Sequence, residues 1–197
     1  MQQSSPDQDG YRGLLQRLAT LSPPLFVMGG FAEDALLFHR LTGQHADLDV
    51  LVMPQQLTQH LQQLTALGLT ESAPSLVEAP GRPLILRASV DHPHIELWVS
   101  TLQPSGGYSF EVEGQPPPSR FRIFLPEDIF HYPATMIEGI AIQTVSPLAL
   151  YQLRAISAMT RHVGEKRAKD LAMQEQLRQT FLTDQDERQL TPRLMKL

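Results

Sequence analysis

An α+β fold, with a mixed β-sheet flanked by helices and a helical C-terminal segment, is predicted by three features of this 197-residue sequence. Residues 25–52 read as a short apolar strand, a Gly-Gly corner, an amphipathic helix and a second strand carrying an Asp-x-Asp pair. Alternating apolar residues over 83–100 and 106–125 read as further strands. From about 147 to 181, apolar residues recur at helical spacing.

The stretch 25–52 organises the rest. Leu25 to Met28 form an unbroken apolar run, as in a strand covered on both faces. Gly29-Gly30 removes two side chains where the chain turns into a helix, so that backbone N–H groups can approach an anion closely. The helix, expected from Phe31 to about Leu41, directs its N-terminus at that corner, which favours phosphate. Asp47 and Asp49 follow on DLDVLV, and alternate strand residues share a face, roughly 6–7 Å apart at the backbone. Such a pair suits divalent cations serving a phosphoryl or nucleotidyl displacement.

Before this stretch, residues 1–9 are polar and expected to fray, and Leu14, Leu15 and Leu18 mark a first helix over Tyr11 to about Thr20. Glu33 and Asp34 read as first-turn acids favoured by the helix dipole, and Arg40 as a cap of the last carbonyls. Leu57, Leu61 and Leu64 mark another helix closed by Gly68, with His60 expected on its surface. Residues 69–83 read as a loop with a short edge strand, and PLILRASV and HIELWVS as a hairpin turning at Asp91-His92-Pro93. In the second of these strands Glu96 and Trp98 face away from Ile95, Leu97 and Val99, with Trp98 read as core. His92 and His94 read as turn and strand-end residues, because no third histidine or cysteine stands near them. Arg120 and Arg122 share a solvated strand face, Ile140 and Ile142 mark a last strand, and Ser146-Pro147 caps the helical segment. Leu171, Leu177 and Phe181 mark the apolar side of its second helix, and the tail from Thr183 is polar. The expected organisation is a frayed 1–9, a core over 10–146, a helical segment over 147–182 and a tail over 183–197.

GGFAEDALL…GQHADLDVLV resembles the nucleotidyltransferase fold shared with DNA polymerase beta. It is most similar to the small aminoglycoside and lincosamide nucleotidyltransferases, in which an aromatic residue (here Phe31) follows Gly-Gly and a His (here His45) precedes the Asp pair. The resemblance, over about residues 25–177, implies Mg²⁺-dependent transfer of a nucleoside monophosphate from an NTP, with ATP as the expected donor, to a hydroxyl of a small molecule. It implies that Asp47, Asp49 and Glu96 are the catalytic and metal-binding carboxylates, Glu96 acting either as ligand or as base. It further implies that Gly29, Gly30 and Lys169 contact the nucleotide, and that Asp170 accompanies Lys169.

Composition narrows the alternatives. A net charge of −5 argues against a broad polyanion-binding surface, so nucleic acid is not expected as a partner. The absence of cysteine excludes disulfides and thiolate metal sites, and fits a cytoplasmic setting. No apolar run has the length of a membrane span, and the N-terminus lacks a signal-peptide pattern. The residues alone also admit an enzyme of the same fold acting on RNA or protein, as in some toxin systems, or a non-catalytic nucleotide-binding module.

Overall fold

A computed structural model describes residues 6–42, 45–71, 82–87, 94–104, 106–113, 119–160, 164–184, 186 and 193–197. The turn at 91–93, the proline-bearing stretch 72–81 and the proline run at 116–118 lie outside the described residues. In chain order the first elements are α1 (Pro6–Leu18), β1 (Phe26–Val27), α2 (Gly29–Glu33) running on as a π-helical turn (Asp34–Phe38), β2 (Leu48–Val52) and α3 (Leu57–Ala66). Then come β3 (Thr70–Glu71), β4 (Leu84–Arg87), β5 (His94–Val99), β6 (Thr101–Leu102), β7 (Tyr108–Glu113) and β8 (Arg120–Phe124). The last are β9 (Thr135–Ile137), β10 (Ile140–Thr144), α4 (Pro147–Thr160), α5 (Gly164–Phe181) and β11 (Arg193–Lys196). No helix among the described residues is long and apolar enough to cross a membrane.

The chain forms two compact units, one of residues 1–78, 83–99 and 133–144, the other of 79–82, 100–132 and 145–197. This partition differs from the linear division expected from the sequence, because residues 100–132 group with the C-terminal helices. Pairing explains the difference. β10 pairs with β1 in the first unit, whereas β7 and β8 pair with each other in the second.

The first unit holds a mixed seven-stranded sheet in the order β3-β4-β5-β2-β1-β10-β9. β1, paired between β2 and β10 inside this sheet, lies in the apolar run expected around Leu25: Leu25, Phe26, Val27 and Met28 are all buried. β2 runs parallel to β5 with Asp49 opposite Glu96, and β4 closes the hairpin on β5 with Arg87 opposite His94. α1 begins at Pro6, inside the segment expected to fray, with proline at the position where its missing N–H costs nothing. The helix after β1 also starts and ends earlier than expected, at Gly29 and Phe38, because His39 adopts a left-handed φ of 56° that stops it. Arg40 is therefore an exposed residue beyond the helix and not a cap within its last turn.

His60 corrects another expectation. It is fully buried, four residues from the equally buried Leu64 and so on the same helical face. Neither ring nitrogen has a hydrogen-bond partner among the described residues, and burial pushes the imidazole below its ordinary value of 6.5. Below that pH the unfolded chain binds a proton that the folded chain resists, so stability falls with pH from about 6.5 towards the folded-state value. Above that range the contribution is constant. Replacing His60 by Leu should raise stability by on the order of 1 kcal/mol, through loss of a buried unsatisfied polar group. It should also flatten the acid limb, as read by urea unfolding at neutral and mildly acidic pH; an unchanged pH slope would contradict this account.

The second unit carries a four-stranded sheet in the order β11-β8-β7-β6. Residues 106–113 and 120–125 thus hold strands as expected, and these pair with each other in a sheet of their own. Arg122 lies across from Glu111 at 2.8 Å, and Arg120, paired with Glu113 in the register, reaches Glu111 diagonally at 3.8 Å, so the two cations serve a cross-strand charge cluster. The polar tail supplies β11, whose four residues cover the otherwise open edge of β8. Ser146 caps α4 as expected, its Oγ accepting the Ala149 N–H at 3.3 Å.

On α5, Leu177 is buried but Leu171, expected on the apolar side, is 49% exposed. Asp170 takes the inward place, 2% exposed, accepting a 2.9 Å hydrogen bond from Arg154 of α4. Removing the carboxylate takes a charge-assisted hydrogen bond from a largely desolvated guanidinium. Asp170→Ala should therefore destabilise the second unit by on the order of 2 kcal/mol, measurable as a lowered denaturant midpoint.

Candidate active site

Every group of the site described here belongs to the first unit. Strand alternation dictates its layout: Leu48, Val50, Ile95 and Leu97 are buried on one face of β2 and β5, while Asp49, Glu96 and Trp98 occupy the other. Asp47 stands one residue ahead of β2, and His94 opens β5 beside it. Ligand atoms of Asp47, His94 and Glu96 all lie within 4.8 Å of one another, with His94 Nε2 3.7 Å from Glu96 Oε1. Desolvation lowers the pKa of the His94 imidazole, aided by the nearby Arg87 guanidinium and opposed by the Asp47 carboxylate. The Nε of Arg87 is itself buried without a hydrogen-bond partner among the described residues.

Asp49 is held from two sides. Trp98 Nε1–H donates to its Oδ1 at 3.1 Å, so the indole, expected as plain core, is buried and also orients a carboxylate. On the other side lies Gly29, with φ of 64°, where an added Cβ would sit 2.5 Å from Asp49 Oδ2. Glycine is required there both by the left-handed backbone and by the close approach of the acid. The Gly-Gly corner is thus packed directly onto the Asp-x-Asp strand, and the Met28 N–H donates to the Asp49 carbonyl at 2.9 Å.

Gly30 has a different neighbour. A Cβ there would lie 2.8 Å from Nδ1 of His45. The His45 ring packs on Phe31 with centroids 4.1 Å apart, and its Nε2–H donates to Asp34 Oδ2 at 2.8 Å. Asp34 also accepts the Thr42 N–H at 2.7 Å and the Thr42 hydroxyl. The helix-dipole role expected for Asp34 is therefore replaced by a buried anchor that fastens the segment after the helix to the segment before β2. Glu33 is likewise buried, at 2% exposure, and not a solvated first-turn acid. The π-helical turn begins at Asp34, a widening of the helix often found at functional positions.

The structure thus brings Gly29, Gly30, Asp47, Asp49 and Glu96 together, and adds Asp34, His45, His94 and Trp98. His94 carries no ligand signal in the sequence, where no third histidine or cysteine stands near it; its neighbours in space are the carboxylates of Asp47 and Glu96. Lys169 is an exposed residue of α5 in the second unit, next to the paired Asp170. His92 lies outside the described residues. The carboxylates are hard oxygen donors, a set that fits Mg²⁺ in kind. An apolar cavity of about 230 Å³, lined by Leu18, Leu25, Val27 and Ile142 among others, contains none of these groups.

No protein-family model matches the chain, and no curated protein matches it in sequence. Solved structures with a similar fold include two of ANT(2″)-Ia and one of LnuA. One is a crystal structure of ANT(2″)-Ia in complex with adenylyl-2″-tobramycin, at 15% identity and a TM-score of 0.61, covering 90% of this chain and 92% of the other. A solution structure of the antibiotic-resistance factor ANT(2″)-Ia matches with 15% identity and a TM-score of 0.57, over 87% and 88% of the two chains. The lincosamide antibiotic adenylyltransferase LnuA, lincomycin-bound, matches with 16% identity and a TM-score of 0.53, over 89% and 99%. The architecture is the α+β nucleotidyltransferase fold.

Proposed function

We propose that this chain is a nucleotidyltransferase that moves a nucleoside monophosphate from an NTP to a hydroxyl of a small molecule, with an antibiotic as the favoured acceptor class. The observation that carries the reading is the meeting of Asp47, Asp49 and Glu96 on one sheet face, with Gly29 packed against Asp49. The fold shared with two antibiotic-modifying proteins supports the acceptor class, and the adenylyl group named for both supports ATP as donor.

In this reading the backbone N–H groups at Gly29 and Gly30, which begin a helix and so lack intrahelical acceptors, donate to phosphate. Asp47 and Asp49 would hold Mg²⁺, with Glu96 beside them. When bound, that ion supplies charge neutralisation at the phosphate oxygens. Glu96 accepts the proton of the attacking hydroxyl as its oxygen bonds to the α-phosphorus and the bond to pyrophosphate breaks. Trp98 and the Asp34–His45 pair do no chemistry; they hold Asp49 and Gly30 in place.

The test is pyrophosphate release from each of the four common NTPs, with aminoglycosides, lincosamides, an RNA and a protein as acceptors. Release that depends on a small-molecule acceptor supports the reading, and release only with RNA or protein transfers the chain to another acceptor class. Nucleotide binding without release in any arm would leave a binding module. Trp98, the single tryptophan, donates to Asp49 and so offers an emission signal for occupation of the site.

A further inference from the structure

We infer that His94 is a metal ligand, and that the Asp47–His94–Glu96 cluster prefers a first-row transition-metal dication over Mg²⁺. The inference deepens the nucleotidyltransferase reading and rests on it for the site's purpose, but not for the chemistry of the ligands. The three side chains come from two adjacent strand starts. Because Leu48 pairs with Ile95, the preceding residues Asp47 and His94 are brought to the same end of the sheet, and Glu96 follows two residues on. Each is half-buried, and their ligand atoms lie within 4.8 Å of one another. Ligands on opposite sides of one dication with bonds of about 2.1 Å stand about 4 Å apart, so small side-chain rotations bring all three onto a single ion.

The donor set decides the ion. Mg²⁺ takes oxygen ligands and retains water in strict octahedral geometry, whereas a neutral imidazole nitrogen with two carboxylates suits the transition dications. Affinity for such a mixed site rises from Mn²⁺ towards the later metals, Zn²⁺ included. His94 is thus the residue that changes the cluster from an oxygen-only site into a nitrogen-bearing one. Asp47 and Glu96 then serve the ion that His94 binds, which replaces both Mg²⁺ at Asp47 and the base role of Glu96 in the nucleotidyltransferase reading, while Asp49 stays outside the trio, its carboxylate oriented by Trp98.

The probe is Mn²⁺ added to the full chain without nucleotide, read by electron spin-echo modulation from a directly bound ¹⁴N and by competition with Zn²⁺ and Mg²⁺. The expected result is ¹⁴N modulation in the wild type and its loss in His94→Ala. That variant should weaken Mn²⁺ binding by about 10–100-fold, at least as much as loss of a group that merely orients a ligand. Zn²⁺ should displace Mn²⁺ at lower concentration than Mg²⁺ does. Bound Mn²⁺ without nitrogen modulation overturns the inference, as does equal binding by wild type and variant, displacement by Mg²⁺ as effective as by Zn²⁺, or no Mn²⁺ bound at all. The wild-type spectrum decides even where the variant folds poorly. Pyrophosphate release with Mg²⁺ but no nitrogen signal removes this inference alone, whereas a nitrogen signal without pyrophosphate release removes the enzymatic reading alone.

Discussion

Asp49→Asn should lower pyrophosphate release by about 10²–10³-fold while leaving the fold intact, the scale on which single electrostatic groups act at a reacting phosphate. The amide isolates charge from packing. Its oxygen can still accept from Trp98 Nε1, now at 3.1 Å from Oδ1, and its size still suits the space beside Gly29. What it removes is the negative charge that a divalent cation requires. Unchanged thermal unfolding with lost activity is the expected combination, read by circular dichroism and by the pyrophosphate assay. Activity within about threefold of wild type would show that Asp49 carries no catalytic charge, and the proposed site would fail with it.

Gly29→Ala should damage both stability and activity. A non-glycine residue at φ of 64° costs about 1–2 kcal/mol from the left-handed backbone alone. The new methyl also meets Asp49 Oδ2 at 2.5 Å, so the carboxylate must move. A displacement of about 1 Å at a reacting centre can cost on the order of 10²-fold in rate. Gly68 supplies the control. It has a comparable φ of 82°, but none of the described residues lies within 4 Å of its added Cβ. Gly68→Ala should lower the unfolding midpoint through backbone strain and leave turnover as it was. If the two variants kept equal activity, the contact between Gly29 and Asp49 would have no functional weight.

The same contrast separates what was legible in the sequence from what was not. The Gly-Gly corner, the Asp-x-Asp strand and Glu96 could be found because each is a short-range pattern: strand alternation and helix entry are set within a few residues. Helix ends were less legible, since the stop at His39 depends on a left-handed residue and a π-helical turn that periodicity does not encode. Burial of a polar side chain is illegible for the same kind of reason: His60 reads as a surface residue, yet its helical phase with Leu64 turns it inward.

By itself the sequence determined the α+β class, the order of strand, glycine corner, helix and strand, and which carboxylates share a strand face. Only the tertiary structure decided which groups steer those carboxylates. Trp98 reaches Asp49 across 49 residues, His45 reaches Asp34 across 11, and His94 comes beside Asp47 through the register of two parallel strands. Local preferences act over one or two turns of chain, whereas these contacts arise from strand pairing that brings distant segments together, and no spacing along the chain records it.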